Sequence, residues 1–110
     1  MALLHATQLF TGTIVVLTNP GTTLYTVPAG NRIIVRSVAV RNLWGGGVNR
    51  FFFKVNGTIV WDPNLNAGGT SGDSQEFRPW IVATPGQLLQ ALVTNANGVG
   101  VVVSGSIYTI

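Results

Sequence analysis

The side chains that could do acid–base chemistry are few and scattered. The 110-residue chain has one histidine, His5, and three acids, Asp62, Asp73 and Glu76. A Ser-His-Asp site would have to recruit His5 from the N-terminal segment, and the Ser-Gly-Ser at 104–106 lacks the glycine spacing of a nucleophile elbow. The acids lie in or beside a glycine-rich loop, where carboxylates commonly cap turns. We therefore expect no enzyme activity.

The same acids could in principle bind a cation. A calcium site built from Asp73, Glu76 and loop carbonyls has suitable oxygen ligands but no recognised spacing. Neither glycine cluster, Gly45–Gly47 or Gly68–Gly69, is followed by the Lys-Ser/Thr pair of a phosphate-binding loop. The chain has no cysteine, which excludes disulfides and thiolate metal sites. We expect no cofactor and no resident metal, with the calcium site as the alternative.

Aromatic side chains offer two kinds of binding chemistry. Arg50–Val55, "RFFFKV", has basic residues around aromatics, as in strands that stack single-stranded bases. Three consecutive aromatics must point to both faces of a strand, so at least one is core, and no second strand of this kind accompanies it; we do not expect nucleic-acid binding. Trp44, Trp61 and Trp80 could stack sugars. Trp44, beside glycines, is the best candidate for an exposed aromatic, whereas Trp80 in "RPWIV" fits an interface or core strand.

The composition bears on the surface of the molecule. Charged residues make up 8% of the chain and apolar residues 46%, mean hydropathy is +0.42 and the net charge is +3, whereas about a quarter of an ordinary soluble domain is charged. The surface must therefore be covered by Gly, Ser, Thr and Asn, by neighbouring subunits, or by both. No apolar run approaches 18 residues, so no membrane span is expected. The absence of a basic residue before Arg32 argues against a secretory signal.

The pattern of elements predicts an all-β chain. Short runs rich in Val, Ile, Thr and Phe alternate with Gly, Pro and Asn turns, and helix signals are nearly missing. About eight strands in one short chain indicate a single antiparallel β-sandwich over 1–110, jelly-roll-like, with an N-terminal arm at about 1–11. The predicted strands are Thr13–Thr18, Thr22–Val27, Arg32–Asn42, Val48–Val55, Thr58–Trp61, Gln75–Thr84, Gln87–Asn95 and Val99–Tyr108.

The long central strand, Arg32–Asn42, raises the question of what covers it. Strict alternation places Ile33, Val35, Ser37 and Ala39 on one face and Arg32, Ile34, Arg36, Val38 and Val40 on the other. Both faces would then be largely apolar, with arginines among aliphatics on one of them. This pattern predicts a strand covered by its own core on one side and by a neighbour on the other, with snorkelling of Arg36 to water as the plainer alternative.

Several stretches together resemble small β-sandwich structural proteins of tailed-bacteriophage virions. They are "LYTVPAGNRIIVRSVAVRN", "VNG", "PWIVATPGQLL" and the final "VVVSGSIYTI", and they cover about Tyr25 to Tyr108. The resemblance implies a non-enzymatic virion component, either a capsid decoration protein or a minor tail protein, commonly a homotrimer. Its motifs are turn-and-strand signatures, and it brings no catalytic residues.

The leading hypothesis is a capsid decoration, or cement, protein that binds itself and the major capsid protein. Ala2–Phe10 and the loop Pro63–Ser74 are the expected docking segments. The alternative is a minor tail or receptor-binding module that contacts other tail proteins and recognises host-surface glycan through exposed aromatics. In both cases the protein would reside in the virion. The expected interface residues are Leu3, Leu4, Phe10, Arg36, Arg41, Trp44, Leu65, Arg78 and Trp80.

Overall fold

The structure is a computed structural model that describes the backbone of residues 3–110 and the side chains of residues 6–110. This part of the chain folds into ten strands, and it contains no helix that could cross a membrane. The strands are β1 (Leu3–Ile14), β2 (Thr22–Thr26), β3 (Asn31–Asn42), β4 (Asn49–Val55), β5 (Thr58–Trp61), β6 (Asn64–Leu65), β7 (Ser74–Phe77), β8 (Ile81–Ala83), β9 (Leu88–Val93) and β10 (Val99–Thr109).

Two antiparallel sheets pack against each other as a jelly roll. Sheet A has the order β1-β10-β3-β7, with β8 also paired to β3, and sheet B has the order β2-β9-β4-β5, with β6 paired to β4. β7 and β8 can be counted as one interrupted strand. Each sheet then has four main strands, in which strands from the first half of the chain alternate with strands from the second half, as in a jelly roll. The predicted all-β sandwich is thus confirmed. The strand count is higher because β6 is a two-residue addition and Pro79 divides the predicted strand Gln75–Thr84.

The core lies between the sheets and consists of the inward residues of both. Alternation along β4 puts Phe51 and Phe53 inside, and in β10 it puts Val99, Val101 and Val103 inside. At one edge the rings of Trp61 and Phe77 stack at 5.2 Å between centroids, which links sheet B to sheet A. Burial of these side chains is the main stabilising contribution to the fold.

The predicted N-terminal arm is wrong for the residues that the structure describes. Leu3–Ile14 is the twelve-residue edge strand β1, paired with β10 from Leu3↔Tyr108 to Ile14↔Val99. Short polar residues such as Thr11 and Thr13 suit an edge strand, where one face and one edge meet water. The chain leaves the strand after Ile14, earlier than the predicted end at Thr18.

A β-bulge in β3 overturns the predicted faces of that strand. Ser37 pairs with Ser104 and Val35 with Gly105, so Arg36 has no opposite residue in β10. The extra residue reverses the alternation, and Val38 and Val40 join Ile33 and Val35 in the core. The outer face then carries Arg32, Ile34, Arg36, Ser37, Ala39 and Arg41. The strand has one apolar face and one mixed face, so its pattern does not require a neighbour on both sides.

Candidate interaction surface

The outer face of sheet A has two neighbouring backbone irregularities, one in β3 and one between β7 and β8. The bulge at Arg36 in β3 lies opposite the break between β7 and β8, where Arg78, Pro79 and Trp80 form no ladder with β3. Proline cannot donate a ladder hydrogen bond, which accounts for the break. Both interruptions turn large side chains outward at the same place.

These side chains form what we call the aromatic patch, consisting of Arg36, Trp80, Val82 and Tyr108. The Arg36 guanidinium carbon lies 4.1 Å from the centroid of the Trp80 ring. Arg36 Nη2 also donates a hydrogen bond of 3.3 Å to the hydroxyl of Tyr108. Trp80 is 66% exposed and Val82 is 44% exposed. Trp, Tyr and Arg are the residues most enriched at energetically important interface positions.

The charge of this face is mainly positive. Arg41 Nε lies 3.6 Å from Asp73 Oδ2, and Arg78 forms an ion pair with Glu76. Arg36, in contrast, makes no salt bridge to any residue of the described chain; its partners are the Trp80 ring and Tyr108. A surface with unpaired guanidinium favours a partner that presents carboxylates.

A shallow groove continues the outer face beyond the patch. It encloses about 670 Å³ and lies over the part of sheet A where β1, β10, β3 and β7 are adjacent. Small side chains leave it open, because Gly100 and Ala39 face outward there. Its floor and walls are formed by Thr11, Gly12, Thr13, Ala39, Val40, Arg41, Ser74, Gln75, Glu76, Gly100, Val101 and Val102.

Two buried asparagines organise the loops at one end of the sandwich. Asn42 Nδ2 donates to the carbonyls of Gly47 and Asn66, both at 2.9 Å, and its Oδ1 accepts from Trp44 N. Asn49 Nδ2 donates to Asn95 O at 3.0 Å, and its Oδ1 accepts from Asn95 N at 3.0 Å. Both side chains are almost fully buried. Sequence reasoning missed them, since an asparagine at a strand end reads equally well as an exposed turn residue.

The glycine-rich loop at 62–73, which overlaps the predicted docking segment Pro63–Ser74, is fixed in place by hydrogen bonds within the chain. Asp73 Oδ2 accepts a hydrogen bond of 2.9 Å from Gly69 N, and Asn42 N donates to Asp73 O at 2.8 Å. The Gly69 amide, followed by Ser74 and Arg41, holds the pKa of the Asp73 carboxyl below its usual range against a smaller opposing effect of burial. Asp73 therefore acts as the internal cap of this loop.

The structure separates the predicted interface residues into several groups. Arg36, Arg41, Arg78 and Trp80 are exposed on or beside the outer face of sheet A. Leu65 is wrong as an interface residue, because β6 places it in the core with no exposed surface. Phe10 is half-buried against the core. The side chains of Leu3 and Leu4 lie outside the described residues.

Of the two tryptophans predicted as interface residues, Trp80 and not Trp44 is the more exposed. Trp44 is half-buried, and its ring folds back over the backbone of the next glycines, where a Cβ at Gly46 would lie 2.5 Å from Trp44 Nε1. Trp80, expected in an interface or core strand, is the exposed ring. The β-bulge and the proline break explain the exposure of Trp80.

Sheet B offers less for recognition. Phe51 and Phe53 are core residues, which leaves only Phe52 facing outward from "RFFFKV". Lys54 is 7% exposed, and its ammonium donates to Asn19 Oδ1 at 3.2 Å and to Pro20 O at 3.3 Å. A base-stacking strand would need several outward rings beside free cations. The arrangement in β4 lacks both.

No group of three or more His, Asp or Glu residues that could hold a metal ion occurs within the described part of the chain. A scan against protein-family models, a search of curated proteins and a search of solved structures each returned no match to this chain. The outer face of sheet A therefore has to be interpreted from its own chemistry.

Proposed function

We propose that this chain is a non-enzymatic structural protein that works by docking onto a protein assembly through the outer face of sheet A. More specifically, we propose a bacteriophage capsid decoration protein that binds the major capsid protein and stabilises the shell. The observation that carries the proposal is the Trp80 ring, exposed over two thirds of its surface and stacked under an arginine that has no carboxylate partner in the described chain.

The energetics of this patch support docking better than exposure to water. The free energy falls when a partner covers an exposed tryptophan and the valine and tyrosine beside it, because apolar surface is removed from water. The guanidinium of Arg36 is already oriented by Tyr108, which reduces the entropy lost when it pairs with a partner carboxylate. Many copies on one lattice would add modest contacts into a large total by multivalency.

The virion assignment has narrower support. It comes from the resemblance of the turn-and-strand motifs and from the scarcity of charge, with nine charged residues in 110. The jelly-roll fold suits such a role, because capsid proteins are among those that use it. The resemblance also implies a trimer.

Localisation in purified particles tests the proposal. Antibody-labelled electron microscopy of virions from the source of this sequence should show the chain over the whole capsid surface. After a salt wash, particles that carry the Trp80→Ala variant should keep about a tenth or less of the amount of this chain that unaltered particles keep, because the variant lacks an interface anchor. Particles that lack the chain altogether would refute a virion role.

The exposed Trp80 ring also supports a second candidate, a minor tail module that binds host-surface glycan by ring stacking. Label confined to the tail would favour it. In that case Trp80→Ala should abolish host adsorption while the heat resistance of the capsid is unchanged. Trp44→Ala is the matched control, since its ring is half-buried.

A further inference from the structure

We propose that β1 is a self-recognition edge: the β1 strands of two copies pair antiparallel about a two-fold axis and join their A sheets into one continuous sheet. This inference deepens the proposed assembly role, on which it rests. It uses a different part of the molecule from the aromatic patch, so each can fail separately.

The free edge of β1 is long, although its register against β10 shifts between Leu3 and His5 and between Gln8 and Phe10. The strand has twelve residues and pairs on one side only, with β10. In an antiparallel ladder alternate residues direct both N–H and C=O away from the neighbouring strand, so about half of these residues present unpaired backbone groups at the edge. Such an edge is a template for another strand.

The other sheet edges are short or interrupted. In sheet A the far edge consists of β7 and β8, of four and three residues, with Pro79 between them. In sheet B the edge strand β2 has five residues and lies between Pro20 and Pro28, and β5 has four residues and is soon followed by Pro63. Proline and shortness are standard protections against edge pairing. β1 has neither.

The charge distribution identifies the partner as a second copy. Residues 1–31 contain no Asp, Glu, Lys or Arg, whereas protected edges usually carry charges, above all lysine. In an antiparallel pair about a two-fold axis residue i of one copy faces residue j of the other and j faces i, so a charge close to the axis would lie near its own copy. An uncharged strand avoids that repulsion, and its own copy matches it in length, which leaves no unpaired remainder.

The positive face of sheet A is compatible with this geometry. Arg36 and Arg41 lie in β3, two strands in from the edge. Across the joined sheet the two β3 strands would be about 24 Å apart, five strand spacings, which is well beyond the Debye length of about 8 Å at physiological ionic strength. Stacking two outer faces would instead bring the arginines together. Edge pairing also leaves both aromatic patches free for another partner.

An isologous pair closes as a dimer, whereas the resemblance implies a trimer. Light scattering on the purified chain should therefore give a mass that rises with concentration to twice 11.6 kDa and no further. Gln8→Lys, at an exposed position next to the centre of β1, should weaken the dimer at least about tenfold, because full-length pairing puts residue 8 beside the two-fold axis and brings the two lysines close together. Thr26→Lys adds the same charge to an exposed site on β2 and should leave the dimer unchanged.

Amide hydrogen exchange on the unaltered chain gives a test that needs no variant. Alternate β1 amides, fast in dilute solution, should become protected as the dimer forms, while Trp80→Ala should not alter dimerisation. A chain that stays monomeric at millimolar concentration, or a dimer whose alternate β1 amides still exchange freely, would overturn the proposal. Loss of particle binding with an intact dimer would instead refute only the docking role of the patch.

Discussion

The guanidinium carbon of Arg36 lies 4.1 Å above the ring of Trp80, although 44 positions separate the two residues in the chain and the ring is 66% exposed. Two backbone irregularities bring them together, the bulge in β3 and the break at Pro79. Cation–π pairs at exposed sites contribute little to stability, about 0.5–1 kcal/mol. Two irregularities that serve so small an internal gain support the proposed docking role of this face.

A double-mutant cycle on Arg36 and Trp80 tests this interpretation in the free protein. Because the ring is exposed, Trp80→Ala should change the free energy of unfolding by less than about 1 kcal/mol. The coupling energy between Arg36→Ala and Trp80→Ala should be about 0.5 kcal/mol, measured by urea unfolding.

Trp61→Ala is the matched control for the tryptophan substitution. Trp61 stacks on Phe77 and contacts Phe51 edge-on at 5.9 Å, so its truncation should cost more than about 2 kcal/mol. Equal costs for the two tryptophans would mean that Trp80 is a structural residue and would remove the argument for docking.

Asn49 should be the most sensitive polar position of the fold. Its buried side chain bonds Asn95 twice and also contacts Gly98 and Thr94, so Asn49→Ala leaves several backbone and hydroxyl groups without a partner. We expect a loss of about 3 kcal/mol or more in the free energy of unfolding. Asn97→Ala, at an exposed site in the adjacent turn, should cost less than about 1 kcal/mol in the same denaturation experiment.

The architecture could be predicted from the sequence because its causes are local. Alternating Val, Ile and Phe between glycine and proline turns defines the strands, and Asn56-Gly57 marks a hairpin whose two residues both have positive φ, 49° and 81°. The two sheets follow from the number of short strands. The sequence predicts an arm in place of β1, because Thr and Gly dilute the apolar pattern of this segment.

The candidate site could be predicted only in part, because it depends on which residues of β3 pair with which residues of β10. One unpaired residue at Arg36 reverses the faces of β3, and no sequence pattern distinguishes a bulge from strict alternation. The arginines of the outer face and Trp80 were predicted as interface residues, whereas the burial of Leu65 and the greater exposure of Trp80 than of Trp44 were not. Both depend on pairing between strands distant in the sequence.

Gly105 should be the glycine least tolerant of a side chain in β10. A Cβ there would collide with the carbonyl oxygen of Ile34 and lie 3.1 Å from Leu9 Cδ1, because the bulge brings the strands close. Gly105→Ala should therefore destabilise the fold by about 2 kcal/mol. Gly100→Ala, in the same strand, would place its Cβ 3.9 Å from Arg41 O, an ordinary contact, and should be neutral in thermal unfolding. If both variants melt alike, the close approach at the bulge is wrong.

Asp73 should make the stability of the loop end depend on pH. The hydrogen bond from Gly69 N lowers the pKa of Asp73 in the folded chain below the ordinary value of an aspartate. A group whose pKa is depressed on folding contributes stability above the unfolded pKa, and this contribution is lost as pH falls through the folded pKa. Asp73→Asn should therefore destabilise the protein at pH 7, and the difference from the unaltered chain should shrink below about pH 4. Urea unfolding at pH 7, 5, 4 and 3 measures it, with Asp62→Asn as a control that removes the same charge from an exposed ion pair. A difference that stays constant down to pH 3 would show that the carboxylate does not cap this loop.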